Sequence, residues 1–281
     1  MNERPFRFLQ PLRDLLRAVS LDERRCILCH IPFSPLDRGA MPPESVPRIG
    51  IPLCPSCRTL LRPRKSGYCP LCGEPALQPE ARPAPCDACR KTSPPWEHFR
   101  FYGLYGGALK TLILRGKFGA DPAVLHLLGR LLAHACADLP RPDAIVPVPL
   151  HRTRLRERGF NQCQEVARPL AHALGAPLRP DLLLRQHPTR HQVGLSEAER
   201  LANLEGAFLA SPQVRGKRIL LVDDTATTGT TLRRAAIALL DPHGGAAAVD
   251  VAVVARTPRD NQDYSDALAA SCGLAAEKSR S

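Results

Sequence analysis

Short apolar runs alternate with segments of helical periodicity from residue 98 to residue 254. The apolar runs predict buried strands over 98–102, 143–148, 219–222 and 247–254. Apolar residues at helical spacing predict helices over 107–117, 123–137, 162–174 and 231–240. Because strands and helices alternate, we expect an α/β fold in which helices cover both faces of a mostly parallel sheet.

The chain before residue 96 has a different pattern. Pro-rich, irregular stretches separate short cysteine turns over residues 31–95, which is typical of a small unit held together by metal. The sequence Pro94-Pro95-Trp96 marks the end of this unit. We therefore predict four parts: an N-terminal amphipathic segment (1–23), a cysteine-rich unit (24–95), the α/β domain (96–258) and a flexible tail (259–281).

The spacing of apolar residues predicts an amphipathic helix in the first of these parts, because residues 6–19 place apolar side chains at roughly helical spacing with arginines between them. We expect it to pack on its own protein; contact with a membrane surface or a partner is the alternative. The N-terminus lacks the apolar core of a signal peptide, and no apolar run reaches the ~18 residues of a transmembrane helix. We expect a cytoplasmic protein without a membrane span.

Eight of the eleven cysteines form four CxxC pairs in the first third of the chain: Cys26/Cys29, Cys54/Cys57, Cys69/Cys72 and Cys86/Cys89. Two such turns supply the four thiolates of a tetrahedral zinc, so four turns predict two structural Zn²⁺ ions. Disulfides are the alternative, but they are rare in the cytoplasm, and redox-active CxxC motifs rarely come four at a time. Sequential pairing closes the shortest loops, with interleaved sites still open.

The other three cysteines, Cys136, Cys163 and Cys272, are single, and we expect core or idle thiols.

Charge is unevenly placed along the chain, whose formal net charge is +12. Residues 1–160 hold 25 Lys and Arg against 14 Asp and Glu. This part of the chain would face an anionic partner, if there is one, but eight thiolates and two Zn²⁺ ions would lower the formal charge to about +8 and offset most of the basic excess of the cysteine-rich unit.

The most specific chemical signal follows the predicted strand 219–222. Asp223 and Asp224 stand at its end, before a helix. Between them and the helix lies a Thr/Gly loop, residues 227–231, made of Thr227, Thr228, Gly229, Thr230 and Thr231. Backbone N–H groups, the helix dipole and hydroxyls converge there on one anion, which suits a 5′-phosphate, while carboxylates accept from ribose hydroxyls. The alternative is that the acids only cap the following helix. Capping requires one acid, whereas this segment has two.

A second segment follows the predicted strand 143–148 and contains four arginines in seven residues, from Arg152 to Arg158. Because this strand belongs to the same sheet as the acidic pair, we expect the segment to contact pyrophosphate or an oligonucleotide backbone. The candidate residues are Leu150, His151, Arg152, Arg156 and Arg158. A solvated helix face is the alternative.

A third segment is the polar connection 185–208, which contains Thr189, Gln192 and Arg200. Loops of this length without a strand pattern are often active-site lids, so we predict that these three residues belong to a lid.

Residues 219–231, an apolar run, two acids and Thr-Thr-Gly-x-Thr, resemble the 5-phosphoribosyl 1-pyrophosphate (PRPP) motif of the type I phosphoribosyltransferases. Four CxxC turns, Val-Pro-Val-Pro-Leu-His-Arg, Arg-Gly-Phe-Asn-Gln and Thr-x-x-Gln-x-Gly-Leu-Ser-x-x-x-Arg precede it. In that order, over residues 24–256, they resemble the ComF/GntX family of competence-associated proteins. The resemblance implies a double zinc ribbon (24–95) joined to a type I phosphoribosyltransferase domain in a bacterial cytoplasm. Thr225 departs from the aliphatic residue of the family pattern.

Two functions follow from this resemblance. As a phosphoribosyltransferase, the protein would bind Mg²⁺-PRPP, with Asp223 and Asp224 on the ribose, and would transfer the pentosyl group to a nucleobase. The Thr/Gly loop would hold the 5′-phosphate, and Leu150 to Arg152 the pyrophosphate. As a binding module, it would use PRPP as a regulatory ligand and bind single-stranded DNA along Arg152 to Arg158, with a protein of the DNA-import machinery on its zinc ribbons. Sequence identifies no acceptor base.

Overall fold

A computed structural model describes residues 23–34, 50–186 and 206–259. Several predictions fall outside these ranges, namely the amphipathic helix over 6–19, the tail beyond residue 259 and the lid residues Thr189, Gln192 and Arg200. Cys272 also lies outside them. Within the described ranges, no helix combines the length and the apolar character needed to cross a membrane.

The cysteine-rich unit contains little regular structure in its described part. Strands β1 (Arg24–Arg25) and β2 (Pro32–Phe33) form a short antiparallel pair. Two short helices, α1 (Pro55–Leu60) and α2 (Asp87–Lys91), each begin directly after a cysteine. This is the expected architecture of a unit that lacks a large core of its own.

The α/β domain is built on a four-stranded sheet. Its strands are β3 (Phe99–Leu104), β4 (Ala144–Pro147), β7 (Arg218–Ala226) and β8 (Ala248–Arg256), in the order β3-β8-β7-β4. All three pairings are parallel, which confirms the predicted parallel sheet. Every residue of the central strand β8 is buried.

Helices connect these strands. They are α3 (Gly107–Phe118), α4 (Pro122–Ala135), α5 (Arg152–Arg158), α6 (Gln162–Leu174) and α7 (Thr230–Leu240). The ends of the predicted lid segment form an antiparallel pair that the sequence did not predict, β5 (Leu183–Arg185) with β6 (Phe208–Ala210). The run Arg152 to Arg158 is α5, a helix without buried residues, which is the local structure of the alternative, a solvated helix face.

Both faces of the sheet are covered, as predicted. Alternate residues of β7 point to opposite faces: Leu220 and Val222 pack with α3, α4 and α6, whereas Ile219 and Leu221 pack with α7 and the β5–β6 pair. Burying one such Leu or Ile side chain stabilises the fold by about 1.5–3 kcal/mol.

A glycine lets α4 and α6 approach closely. A Cβ on Gly129 of α4 would lie 2.2 Å from Cγ of Pro169 and 2.3 Å from the carbonyl oxygen of Val166, both on α6. Only a residue without a side chain fits this crossing. The close packing fixes α6, whose N-terminal end lies beside the acidic pair.

Candidate functional site

The eight paired cysteines form two clusters. Within each, the four ligand atoms lie within 4.8 Å of one another, and the pairing is sequential, 26/29 with 54/57 and 69/72 with 86/89. The Sγ atoms of Cys29 and Cys54 are 3.8 Å apart, and those of Cys72 and Cys86 are 3.7 Å apart. Tetrahedral zinc with Zn–S bonds of ~2.3 Å requires S···S separations of ~3.8 Å, so both clusters fit structural zinc.

The electrostatics of the clusters also suit a cation. A hydrogen bond with Cys69, followed by burial, raises the pKa of the Cys72 thiol, and burial followed by the neighbouring thiols raises that of Cys57. In the same clusters the pKa of Cys69 is lowered to about 4, chiefly by its hydrogen bond with Cys72, so a cation such as Zn²⁺ would favour ionisation mainly of the thiols whose pKa is raised.

The acidic pair lies near the carboxyl end of β7, which continues beyond the predicted strand 219–222 to the buried Ala226 and so includes both acids. Asp223 and Asp224 are partly exposed, whereas Ile219, Leu220, Leu221 and Val222 before them are buried. Asp223 Oδ1 accepts from the amide of Asp224 at 2.8 Å. Asp224 Oδ1 accepts from the amide of Thr225 at 2.7 Å and from its hydroxyl at 3.1 Å. The departure from the family pattern at Thr225 thus adds a donor that orients the second carboxylate.

Cys163 is buried, as expected of a core thiol, but it is not idle, because it contacts the first carboxylate. Its thiol donates to Asp223 Oδ1 at 3.0 Å. The N-terminus of α6 positions it: Asn161 caps the helix by accepting from the Cys163 amide at 3.1 Å and donates to the Val148 carbonyl at 3.1 Å. The Val148 amide in turn donates to the Val222 carbonyl at 2.8 Å. The ends of β4 and β7 and the start of α6 therefore converge on the acidic pair.

These surroundings set the protonation of the pair. Burial, followed by the charge of Asp224, raises the pKa of Asp223 to about 7, although the thiol of Cys163 and the amide of Asp224 act in the opposite direction. Burial, followed by the charge of Asp223, raises the pKa of Cys163 well above its usual value, so Cys163 stays a neutral donor. The pair gains negative charge close to neutral pH, where a cation or hydroxyl donors would favour its ionised form.

The Thr/Gly loop connects β7 to α7: residues 227–229 lie between the two elements, and Thr230 and Thr231 are the first residues of α7. Gly229 has φ +75° and stands directly before α7, a conformation that residues with a Cβ rarely adopt. The hydroxyls of Thr228 and Thr230 are 2.8 Å apart, and the Thr230 amide donates to Thr228 Oγ1 at 3.4 Å. Thr227 is exposed. Such a turn directs the first N–H groups of a helix toward an anion.

The third element is a groove of about 790 Å³ beside α5. Leu150 and Arg152 line it, and Arg185 lines it from β5 with its guanidinium 5.5 Å from the centre of the Phe208 ring. His151 caps α5 by accepting from the Thr153 amide at 3.3 Å. Arg156 and Arg158 also lie on α5, outside the lining of the groove. The structure therefore brings Leu150 and Arg152 to one cavity and distributes the remaining arginines around a helix.

A parallel sheet of this type, together with two Cys₄ clusters, defines a phosphoribosyltransferase-fold protein with a double zinc ribbon. The profile of the phosphoribosyl transferase domain matches residues 161–271. The chain is 35% identical over 238 residues to the DNA utilization protein YhgH of Salmonella typhi, and the alignment covers 83% of this chain and 96% of that protein. It is 33% identical to Competence protein F of Haemophilus influenzae, over 64% of this chain and 86% of that protein. It is 31% identical to Competence protein ComFC of Bacillus subtilis, over 70% of this chain and 81% of that protein. The chain belongs to the ComF family.

We expect purified protein to contain two zinc ions per chain, because each Cys₄ cluster fits one ion. The variant Cys69→Ser/Cys72→Ser should contain one, and so should Cys26→Ser/Cys29→Ser, since each loses half the ligands of one cluster. Elemental analysis measures the ratio. A ratio near one in the wild-type protein would mean that one cluster does not hold metal, and a ratio of zero would contradict the zinc-ribbon assignment.

Proposed function

We propose that this protein binds Mg²⁺-PRPP at the end of β7 and acts as a phosphoribosyltransferase in the bacterial cytoplasm, in a process linked to the uptake or use of DNA. The observation that carries the proposal is the acidic pair followed directly by the Thr/Gly loop at the carboxyl end of one buried strand. Relatives named for DNA utilization and for competence support the cellular context. Residues 24–95 and 96–258 would form its two domains.

The proposed chemistry assigns each group a task. Asp223 and Asp224 accept from the ribose hydroxyls, and their charge stabilises the positive charge that develops at C1′ as pyrophosphate leaves. The Thr/Gly loop holds the 5′-phosphate through N–H groups and hydroxyls. Arg152, in the groove beside α5, stabilises the departing pyrophosphate. Mg²⁺, when bound, neutralises charge on the pyrophosphate.

Binding of Mg²⁺-PRPP should depend on the acidic pair. The variant Asp223→Asn/Asp224→Asn should weaken it about 10- to 100-fold, because a hydrogen bond to a charged group contributes roughly 1.5–3 kcal/mol. Isothermal titration calorimetry gives the affinity, and a thermal shift reports the same binding by mass action. Asp138→Asn, which loses an exposed carboxylate paired with Arg100, is the matched control and should bind as the wild type does. Equal affinity in the wild type and the double variant would remove the ribose-site assignment.

Pyrophosphate release from PRPP in the presence of a panel of nucleobases separates the two candidate functions. Release that depends on one base supports the transferase. Tight binding of PRPP without release with any base instead supports the binding module, in which PRPP is a regulatory ligand.

The affinity for Mg²⁺-PRPP should rise with pH. With its pKa at about 7, Asp223 is mostly protonated at pH 6 and mostly ionised at pH 8. If binding requires the ionised carboxylate, the affinity for Mg²⁺-PRPP should therefore rise roughly tenfold from pH 6 to pH 8. In Asp223→Asn this contribution should vanish, leaving only the titration of the ligand. Cys163→Ala should move the midpoint upward because it removes a donor that lowers the pKa of Asp223, whereas Cys136→Ala, another buried thiol, should not. Identical pH profiles for the wild type and Asp223→Asn would contradict this expectation.

Binding of single-stranded DNA is the second candidate, favoured by the arginines of α5 beside the groove. In a helix, Arg152 and Arg156 share one side, four residues apart, and Arg154 and Arg158 share another. Removing one arginine that binds a phosphate should lower the log–log salt slope by about 0.7. If the side of Arg152 binds DNA, Arg152→Ala/Arg156→Ala should lower the slope by roughly 1.4, and Arg154→Ala/Arg158→Ala should leave it unchanged. Unchanged slopes and affinities in both variants would exclude α5 as a DNA-binding helix.

A further inference from the structure

Arg256, the last residue of β8, connects the second Cys₄ cluster to the Thr/Gly loop. Its side chain is 1% exposed. Toward the cluster, the guanidinium donates to the Cys72 carbonyl at 2.9 Å and to the carboxylate of Glu74. Toward the loop, it donates to the Ala226 carbonyl at 3.0 Å and to the carbonyl of Thr227. One buried cation thus holds the backbone on which the loop begins.

Two further contacts fix the same turn of the cluster, residues 69–74, against the sheet and the loop. Trp96 donates from its indole nitrogen to the Leu71 carbonyl at 2.7 Å, and its ring lies 4.0 Å from the position that a Cβ on Gly229 would take. Gly73, with φ +72°, packs on Phe99, whose Cε1 would lie 2.6 Å from an added Cβ. The 69–74 turn therefore has little freedom to move without disturbing the loop.

The turn itself is organised around the metal ligands. Backbone bonds close it, from the Cys69 amide to the Glu74 carbonyl at 2.7 Å and from the Gly73 amide to the Cys69 carbonyl at 2.8 Å. Cys69 and Cys72 supply two of the four thiolates, and Glu74, which pairs with Arg256, follows Cys72 by two residues. A metal ion that fixes these thiolates also fixes the carbonyl and the carboxylate that hold Arg256.

The first Cys₄ cluster serves as a control for the second, because its described contacts are with α3 and the core beneath it and not with the Thr/Gly loop. Cys26 and Cys57 belong to the core formed with α3, α4 and α6, on the opposite face of the sheet from Trp96 and Phe99. Arg115 of α3 donates to the Ile27 carbonyl in the first turn of this cluster. Loss of metal there would disturb α3 and not the start of the Thr/Gly loop.

We propose that the second Cys₄ cluster, acting through Arg256, is a metal-dependent positioning element for the Thr/Gly loop, so that zinc at this cluster and a sugar phosphate on the loop strengthen each other's binding. Arg256 is a positioning residue, since it contacts the loop backbone and the cluster but holds neither ligand. The ligand part of this inference rests on the proposed function. The effect of the cluster on the loop does not, because it concerns the protein alone.

Hydrogen exchange of the amides of residues 227–231 tests the coupling without any ligand. Arg256→Lys keeps the charge but replaces three donor nitrogens with one, which cannot reach the cluster and the loop at the same time, so we expect exchange about tenfold faster than in the wild type. Cys86→Ser/Cys89→Ser, which removes metal from the second cluster, should have a similar effect. The matched controls are Cys26→Ser/Cys29→Ser and Arg218→Lys, an arginine paired with Asp250 and Glu97 at the opposite end of the sheet, and neither should change this exchange. Unchanged exchange in Arg256→Lys with both zinc ions present overturns the proposal.

If Arg256→Lys does not fold, Glu74→Gln decides in its place. It weakens the contact of Arg256 with the cluster, together with the contacts of Glu74 with Arg259, and leaves the bonds from Arg256 to the loop in place. It should also accelerate exchange of residues 227–231. Wild-type exchange rates in a folded Glu74→Gln variant would then overturn the proposal.

Zinc affinity provides the reciprocal measurement, because coupling between two binding sites changes both binding free energies by the same amount. In equilibrium competition with a coloured chelator, PRPP should raise the zinc affinity of one of the two sites about tenfold in the wild type but not in Arg256→Lys. The site that remains in Cys26→Ser/Cys29→Ser should be the strengthened one. An equal rise at both sites, or a rise at neither while PRPP is bound, contradicts the coupling. If PRPP does not bind the wild type at all, the proposed function fails, and the exchange measurement alone decides this inference.

Discussion

The site depends on one strand leaving the core over a very short distance. From Ile219 to Val222, β7 is buried on both faces, the next two residues are partly exposed carboxylates, and the strand ends at the buried Ala226. The strand cannot shift along its neighbours without moving this boundary, because Val222 lies opposite Ala252 of β8 and Pro147 of β4. A one-residue slip would move the apolar side chains to the wrong faces. The register of the sheet therefore fixes the acidic pair, the Thr/Gly loop and the end of β4 relative to one another.

The same boundary explains the electrostatics of the pair. Asp223 is close enough to the core for burial to raise its pKa to about 7, well above the ~3.9 of an unfolded chain. The native state then binds more protons than the unfolded state between these values, so this carboxyl group makes folding less favourable as pH rises through that window. A ligand that supplies hydroxyl donors or a cation removes much of this cost. The acidic pair is thus less stable alone than with a ligand, as is common at functional sites.

Sequence predicted the features that depend on short-range patterns. The patterns that predict the strand 219–222, the helix after Gly229 and the four CxxC turns each lie within about a dozen residues of sequence. Sequence left the local structure of Arg152 to Arg158 open, with a solvated helix face as the alternative, because a run of arginines has no apolar periodicity. His151 as a cap and Gly159, with φ +76° at the helix end, mark the limits of the helix. Cys163 and Arg256 were missed for a different reason. Their partners, Asp223 and Glu74, are 60 and 182 residues away in the chain, and only the folded sheet brings them together.

The two zinc clusters are part of the α/β domain in a physical sense, since they cover opposite faces of its sheet. On one face, Tyr102 of β3 donates from its hydroxyl to the Leu61 carbonyl, and Leu61 joins the core with α3 and α4. On the other face, Gly73 packs on Phe99 and Phe101 of the same strand. The edge strand β3, which would otherwise expose apolar side chains, is covered on both sides by segments that carry the two Cys₄ clusters. A small unit with little core of its own thus completes the core of its neighbour, and in return gains a rigid surface on which its turns are fixed.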